Sequence, residues 1–104
     1  MTKKTKLAKL MESEAILNYE TNLEDTLTWF RILNRDLFNN TLPPVDEIDI
    51  RWRRTAHAWY DYDESKPGTG STKLLLSKRY RSKQFFVEVL AHEMVHHYQY
   101  VYNE

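Results

Sequence analysis

From Phe85 to Val95 the chain reads FFVEVLAHEMV, apolar at nearly every position except Glu88, His92 and Glu93. A helix that is apolar around most of its circumference must be covered on most sides, so this segment predicts a helix running through the core. Ser82 stands where its N-cap is expected. Val87, Ala91, Met94, Tyr98 and Val101 recur at intervals of four, three, four and three, and Phe86 and Leu90 widen that stripe. The chain has 104 residues. A chain of that size is one domain that buries about 60–70% of its extended surface, so it can build a single core.

The rest of the chain must supply what packs on that helix. Thr21 and Glu24 have the spacing of a capping box. Leu23, Leu27, Phe30 and Leu37 follow at nearly helical spacing, with Leu33 beside them. Asn39-Asn40 can take the left-handed conformation that ends a helix, and Pro43-Pro44 prevents its continuation. The period then changes. Ile48, Ile50 and Trp52 alternate with charged residues, Ala56 to Tyr62 is a second strand, and Thr72 to Ser77 is a third, set off by the turn Pro67-Gly68-Thr69-Gly70. Short connections between successive strands predict an antiparallel meander. The expectation is therefore an α+β domain: an N-terminal helix, a three-stranded antiparallel sheet and a C-terminal helix. Residues 1–20 read as an N-terminal extension, partly helical or frayed, and 21–104 as the domain.

Fifteen basic residues balance fifteen acidic ones, so no global field draws the chain to nucleic acid or to an anionic membrane. The absence of cysteine excludes disulfides, thiolate metal sites and cysteine nucleophiles. Lys9, Glu12 and Glu14 interrupt the apolar residues near the N-terminus, so no signal peptide or membrane span is expected. A soluble protein of the cytoplasm or another intracellular compartment, with no membrane partner, is the default.

The chemistry lies in His92-Glu93-Met94-Val95-His96, an H-E-x-x-H pattern. Residues four apart on a helix share a face, with Cβ atoms about 5–6 Å apart. Two imidazoles so placed can converge on one Zn2+ ion at about 2.0–2.1 Å. Glu93 is turned about 100° from His92, which suits it to a metal-held water rather than to the metal. Zinc lowers the pKa of such a water, and a carboxylate that takes its proton leaves hydroxide to attack a carbonyl. The bland alternative is a chance pattern on a solvated face. An apolar helix and a preceding sheet argue against it.

From about Leu27 to the C-terminus the chain also resembles the SprT-like metallopeptidase domains, the zincin family that includes the Spartan-type proteases. The resemblance is carried by WFRILNRDLFNNTLPPV, IDIRW, KLLLS and VLAHEMVHHYQY, in that order. It implies a zinc-dependent endopeptidase acting on protein or peptide, with His92 and His96 as metal ligands and Glu93 as general base. It also implies a third histidine a dozen or more residues beyond the second, whereas eight residues follow His96. Metzincin spacing does not supply one, because positions 99 and 102 are Gln99 and Tyr102. The favoured expectation is a shortened form with weak metal affinity and low turnover. A second is that His57, in the second strand, completes the site, although a strand histidine is more often simply packed. The third is a degenerate relative that does no chemistry. His97 is turned away from the His92/His96 face.

A reading from another class is a non-catalytic zincin-fold module that binds nucleic acid or a protein partner. Arg51-Trp52-Arg53-Arg54 and Lys78-Arg79-Tyr80-Arg81-Ser82-Lys83 interleave basic and aromatic residues, as phosphate-neutralising, base-stacking surfaces do. The bland alternative packs Trp52 inward and leaves its arginines solvated. Tyr98 falls on the core stripe, and Tyr100 and Tyr102 lie near a frayed end, so none is assigned catalysis. Nucleic-acid binding through these segments is expected to weaken steeply between low and physiological salt in a filter-binding titration. Affinity indifferent to salt excludes a phosphate-driven patch.

Overall fold

The computed structural model describes residues 18–53, 58–66 and 68–102. Within these, Tyr19–Glu20 form β1, Leu23–Phe38 α1, Glu47–Arg51 β2, Ala58–Tyr62 β3, Thr72–Ser77 β4, Arg79–Tyr80 β5 and Lys83–Tyr102 α2. The class is α+β, as expected. Most of the 1–20 extension, residues 1–17, lies outside the described residues.

Helix α1 is capped one residue later than the sequence suggests. The Asn22 side chain, not that of Thr21, accepts the Asp25 N–H at 2.7 Å. Thr21 is buried instead, its hydroxyl donating to Asp25 and pairing with Thr26 Oγ1 at 2.9 Å. That pairing explains which face α1 buries. Thr26, Phe30 and Leu33 point inward, whereas Leu23, Leu27 and Leu37 are 53%, 47% and 60% exposed. The expected leucine stripe is therefore displaced, because a threonine whose hydroxyl is satisfied can be buried at little cost. Asn39 and Asn40 end the helix at φ 55° and 60°, as anticipated.

The sheet departs from the expected antiparallel meander. Its order is β2-β4-β3: β4 is central, parallel to β2 and antiparallel to β3. Strand β3 thus crosses to the far edge instead of pairing with β2. The signal for a central strand was Leu74-Leu75-Leu76, an unbroken apolar run where edge strands alternate. Leu74 and Leu76 are 2% and 0% exposed. Asp46 ties the start of β2 to β4, accepting the Thr72 N–H at 2.8 Å while its own N–H reaches Thr72 Oγ1 at 3.0 Å. The Thr72 N–H and hydroxyl, both donating to the Asp46 carboxylate, hold it below the usual carboxylate range. Strands β1 and β5 form a separate antiparallel pair. Through it Tyr19 stacks on Phe86 at 5.5 Å.

Ser82 caps α2, its hydroxyl accepting the Phe85 N–H at 3.0 Å. The helix is covered on one side only. Phe86, Leu90, Glu93, Met94, His97 and Tyr100 are buried, while Val87 and Ala91 are half-buried and Val95 is 44% exposed. The buried stripe thus lies beside the expected one and shares Met94 with it. The sheet, α1 and the β1–β5 pair cover α2 from one side, so its surplus apolar side chains remain at the surface. Leu76→Ala, which empties the middle of the core, is expected to lower unfolding free energy by about 2–5 kcal/mol in urea denaturation.

Candidate metal centre and its cleft

His92 and His96 stand one turn apart on the exposed side of α2, ring centroids 4.9 Å apart and planes at 87°. Glu93 turns inward and is 9% exposed. His96 and Glu93 line a cleft of about 440 Å3, whose opposite wall is β3 and the start of the loop after it. Ala58 to Tyr62 and Glu64 form that wall. Because β3 is an edge strand, its outer N–H and C=O groups have no strand partner among the described residues.

The donor chemistry suits a borderline metal such as zinc: two imidazoles at helical spacing, with no competing thiolate. Among the described residues, no group of three His, Asp or Glu side chains could hold a metal ion. His57, weighed as the third donor, lies outside the described residues.

His97 is taken out of the reckoning by its partners. Its Nε2 is 2.8 Å from the Pro43 carbonyl, which can only accept, so Nε2 carries the proton. Nδ1 is then an acceptor, and Tyr60 donates its hydroxyl to it at 2.6 Å. One imidazole thereby joins α2 to β3 and to the segment ahead of β2. Tyr60 lines the cleft while its hydroxyl is committed to His97. Burial raises the Tyr60 hydroxyl above the usual phenol range, so it remains a protonated donor.

Several residues of the cleft wall escaped sequence reasoning. Trp59 is 65% exposed and Tyr62 42%, and Asp61 and Glu64 are exposed beside them. Alternation places Trp59 and Asp61 on the face opposite Ala58, Tyr60 and Tyr62, and only the strand order, which leaves β3 at the edge, brings both sets to one cleft. Tyr100 and Tyr102, expected to fray, are both anchored. Tyr102 donates to the Thr41 carbonyl, and Tyr100 is 8% exposed.

In the basic-aromatic segments, where they are described, pairs of cations share single carboxylates. Arg51 and Arg53 lie 2.6 and 3.8 Å from Asp49, and Lys78 and Arg79 lie 3.7 and 3.2 Å from Glu20. Arg81 and Lys83 sit over the rings of Phe85 and Trp29. Trp52 does not pack inward; it is 59% exposed. No helix among the described residues is long and apolar enough to cross a membrane.

An α+β domain with an H-E-x-x-H helix against a sheet edge is the class that these features define. Residues 26–104 match the model of the SprT-like family, and the chain belongs to that family. No curated protein and no solved structure matches the chain.

Burial pushes His97 below the ordinary imidazole value of 6.5; the Pro43 carbonyl and the Asp46 carboxylate oppose this without reversing it. The native state therefore holds a neutral ring, and the unfolded chain takes up the proton first as pH falls. This contribution to stability is complete above about pH 6.5 and declines below it, by at most about 1.4 kcal/mol per pH unit. Urea denaturation at pH 7.5, 6.5 and 5.5 is expected to show that decline, and His97→Gln to reduce its slope.

Proposed function

We infer that this chain is a zincin-type metallopeptidase domain, spanning residues 21–104, that hydrolyses peptide bonds in a protein or peptide substrate. The observation that carries the reading is that Glu93 and His96 line the same cleft as the free edge of β3. A base, a metal donor and an edge strand with backbone hydrogen-bonding groups then line one cleft. His92 and His96 hold the zinc. The ion, when bound, supplies Lewis acidity and lowers the pKa of water.

The protein's own groups do the rest. The edge of β3 takes an extended peptide as an added strand, which fixes backbone direction through main-chain hydrogen bonds. Glu93 accepts a proton at its carboxylate and returns it to the departing amine. General acid–base transfer of this kind contributes about 10²–10⁴-fold. Its burial between helix and sheet removes competing water and strengthens the interaction. The rings of Trp59 and Tyr62 give the wall apolar surface for substrate side chains.

The cleft favours this reading over a nucleic-acid module, because Asp61, Glu64 and Glu93 line it and carboxylates repel a phosphate backbone. The test is zinc content and casein cleavage in the wild type, Glu93→Gln and His57→Ala. Glu93→Gln is expected to lose cleavage by at least about 100-fold while keeping its zinc. Cleavage that survives the change, or a wild type with no zinc-dependent cleavage, overturns the reading. Tight zinc lost in His57→Ala identifies the third ligand; zinc retained there sends the search elsewhere.

A further inference from the structure

The described residues that follow β3, 63–66 and 68–71, are folded mainly on one another. The Asp63 carboxylate accepts from the Ser65 N–H and hydroxyl at 3.0 and 2.6 Å. The Asp63 and Lys66 carbonyls accept from the N–H groups of Lys66 and Gly70 at 3.1 and 2.9 Å. Into this loop α2 sends one hydroxyl, that of Tyr100. It accepts the Gly70 N–H at 2.8 Å and donates to the Lys66 carbonyl at 2.6 Å, with the Asp63 carbonyl at 3.2 Å.

The seat is tight. A Cβ on Gly70 would stand 2.7 Å from Tyr100 Oη and 2.7 Å from Asp63 Cβ. Gly68, at φ 78°, would bring a Cβ to 3.0 Å from the Val101 carbonyl oxygen. The ring of Tyr100 packs on those of Tyr62 and Tyr60, at 4.8 and 6.5 Å. Tyr60, Tyr62 and Glu64 line the cleft; Tyr100 does not. Its hydroxyl thus sets the height of the cleft's outer end by holding the backbone on which Glu64 is carried.

We propose that Tyr100 is a positioning residue for substrate, holding the Asp61–Glu64 end of the cleft wall where a bound peptide meets it. This rests on the peptidase reading above. The hydroxyl acts on binding and not on the hydrolytic step, because the Asp63 and Lys66 carbonyls it holds bracket Glu64 of the wall, and none of its partners lies in the His92, Glu93, His96 constellation. Removing it while keeping the ring lets the loop shift, and bound and reacting peptide lose contact equally. That is the signature of a raised KM at constant kcat.

The experiment uses the full chain with zinc supplied and an internally quenched casein peptide as probe. Tyr100→Phe is expected to raise KM about tenfold, the upper range of one ordinary hydrogen bond, with kcat within twofold. Gly70→Ala, which presses on the same hydroxyl from the loop side, is expected to act in the same direction. The double variant should be less than additive, as for groups sharing one contact. A fall in kcat and thermal midpoint with KM unchanged overturns the proposal, since it marks a purely structural role. The same peptide is then titrated, by fluorescence anisotropy, onto Glu93→Gln with and without Tyr100→Phe. If the wild type cuts nothing, the peptidase reading fails alone. The positioning role still stands if Tyr100→Phe weakens that binding, and falls if affinity is unchanged.

Discussion

The imidazole of His97 is almost fully buried, and each of its nitrogens has a partner. Tyr60 approaches it from β3 and the Pro43 carbonyl from the segment leading into β2. A buried polar group left unpaired costs about 1–3 kcal/mol, so these three hold one another in a single arrangement. Because His97 is next to His96 and four residues from Glu93, the bond that fixes α2 against β3 also fixes the candidate site against the wall of its cleft. Tyr100 and Tyr102, one and roughly one and a half turns further on, repeat the device, each hydroxyl reaching a loop carbonyl.

The division of labour along α2 follows from helical geometry. Phe86, Leu90 and Met94 bury apolar surface near its start and middle. Beyond Met94 the buried positions become His97 and Tyr100, whose polar tips find backbone partners in the connections around the sheet. The exposed side carries His92 and His96. Glu93 lies between the two faces, buried and yet at the cleft. A carboxylate wanted for proton transfer beside a helix-borne metal pair fits that intermediate direction, because it can reach the cleft without competing for the metal.

Much of the architecture was legible in the residues. The Ser82 cap, the Asn39-Asn40 stop, the three sheet strands and the α+β class follow from local chemistry, and the structure bears them out. The helix faces were harder to read. Periodicity favours leucine, but α1 buries Thr26 and leaves Leu23, Leu27 and Leu37 half open, because Thr21 supplies the hydroxyl that Thr26 needs. Satisfying a hydrogen bond is a pairwise matter, and a one-dimensional pattern does not display pairs. The same reason hid the anchoring of Tyr100 and Tyr102, whose partners lie 30 and more residues away.

By itself, the sequence determined that His92 and His96 share one face of a helix, with Glu93 turned from it, because 3.6 residues per turn fixes directions within any helix. It also determined that the helix had to pack against a sheet to hide its apolar side. Strand order was decided only in three dimensions. Placing the Leu74–Leu76 run at the centre moved β3 to the edge, since the most apolar strand gains most from neighbours on both sides. That exchange is what sets a free strand edge opposite Glu93, and no local pattern in Ala58–Tyr62 could have disclosed it.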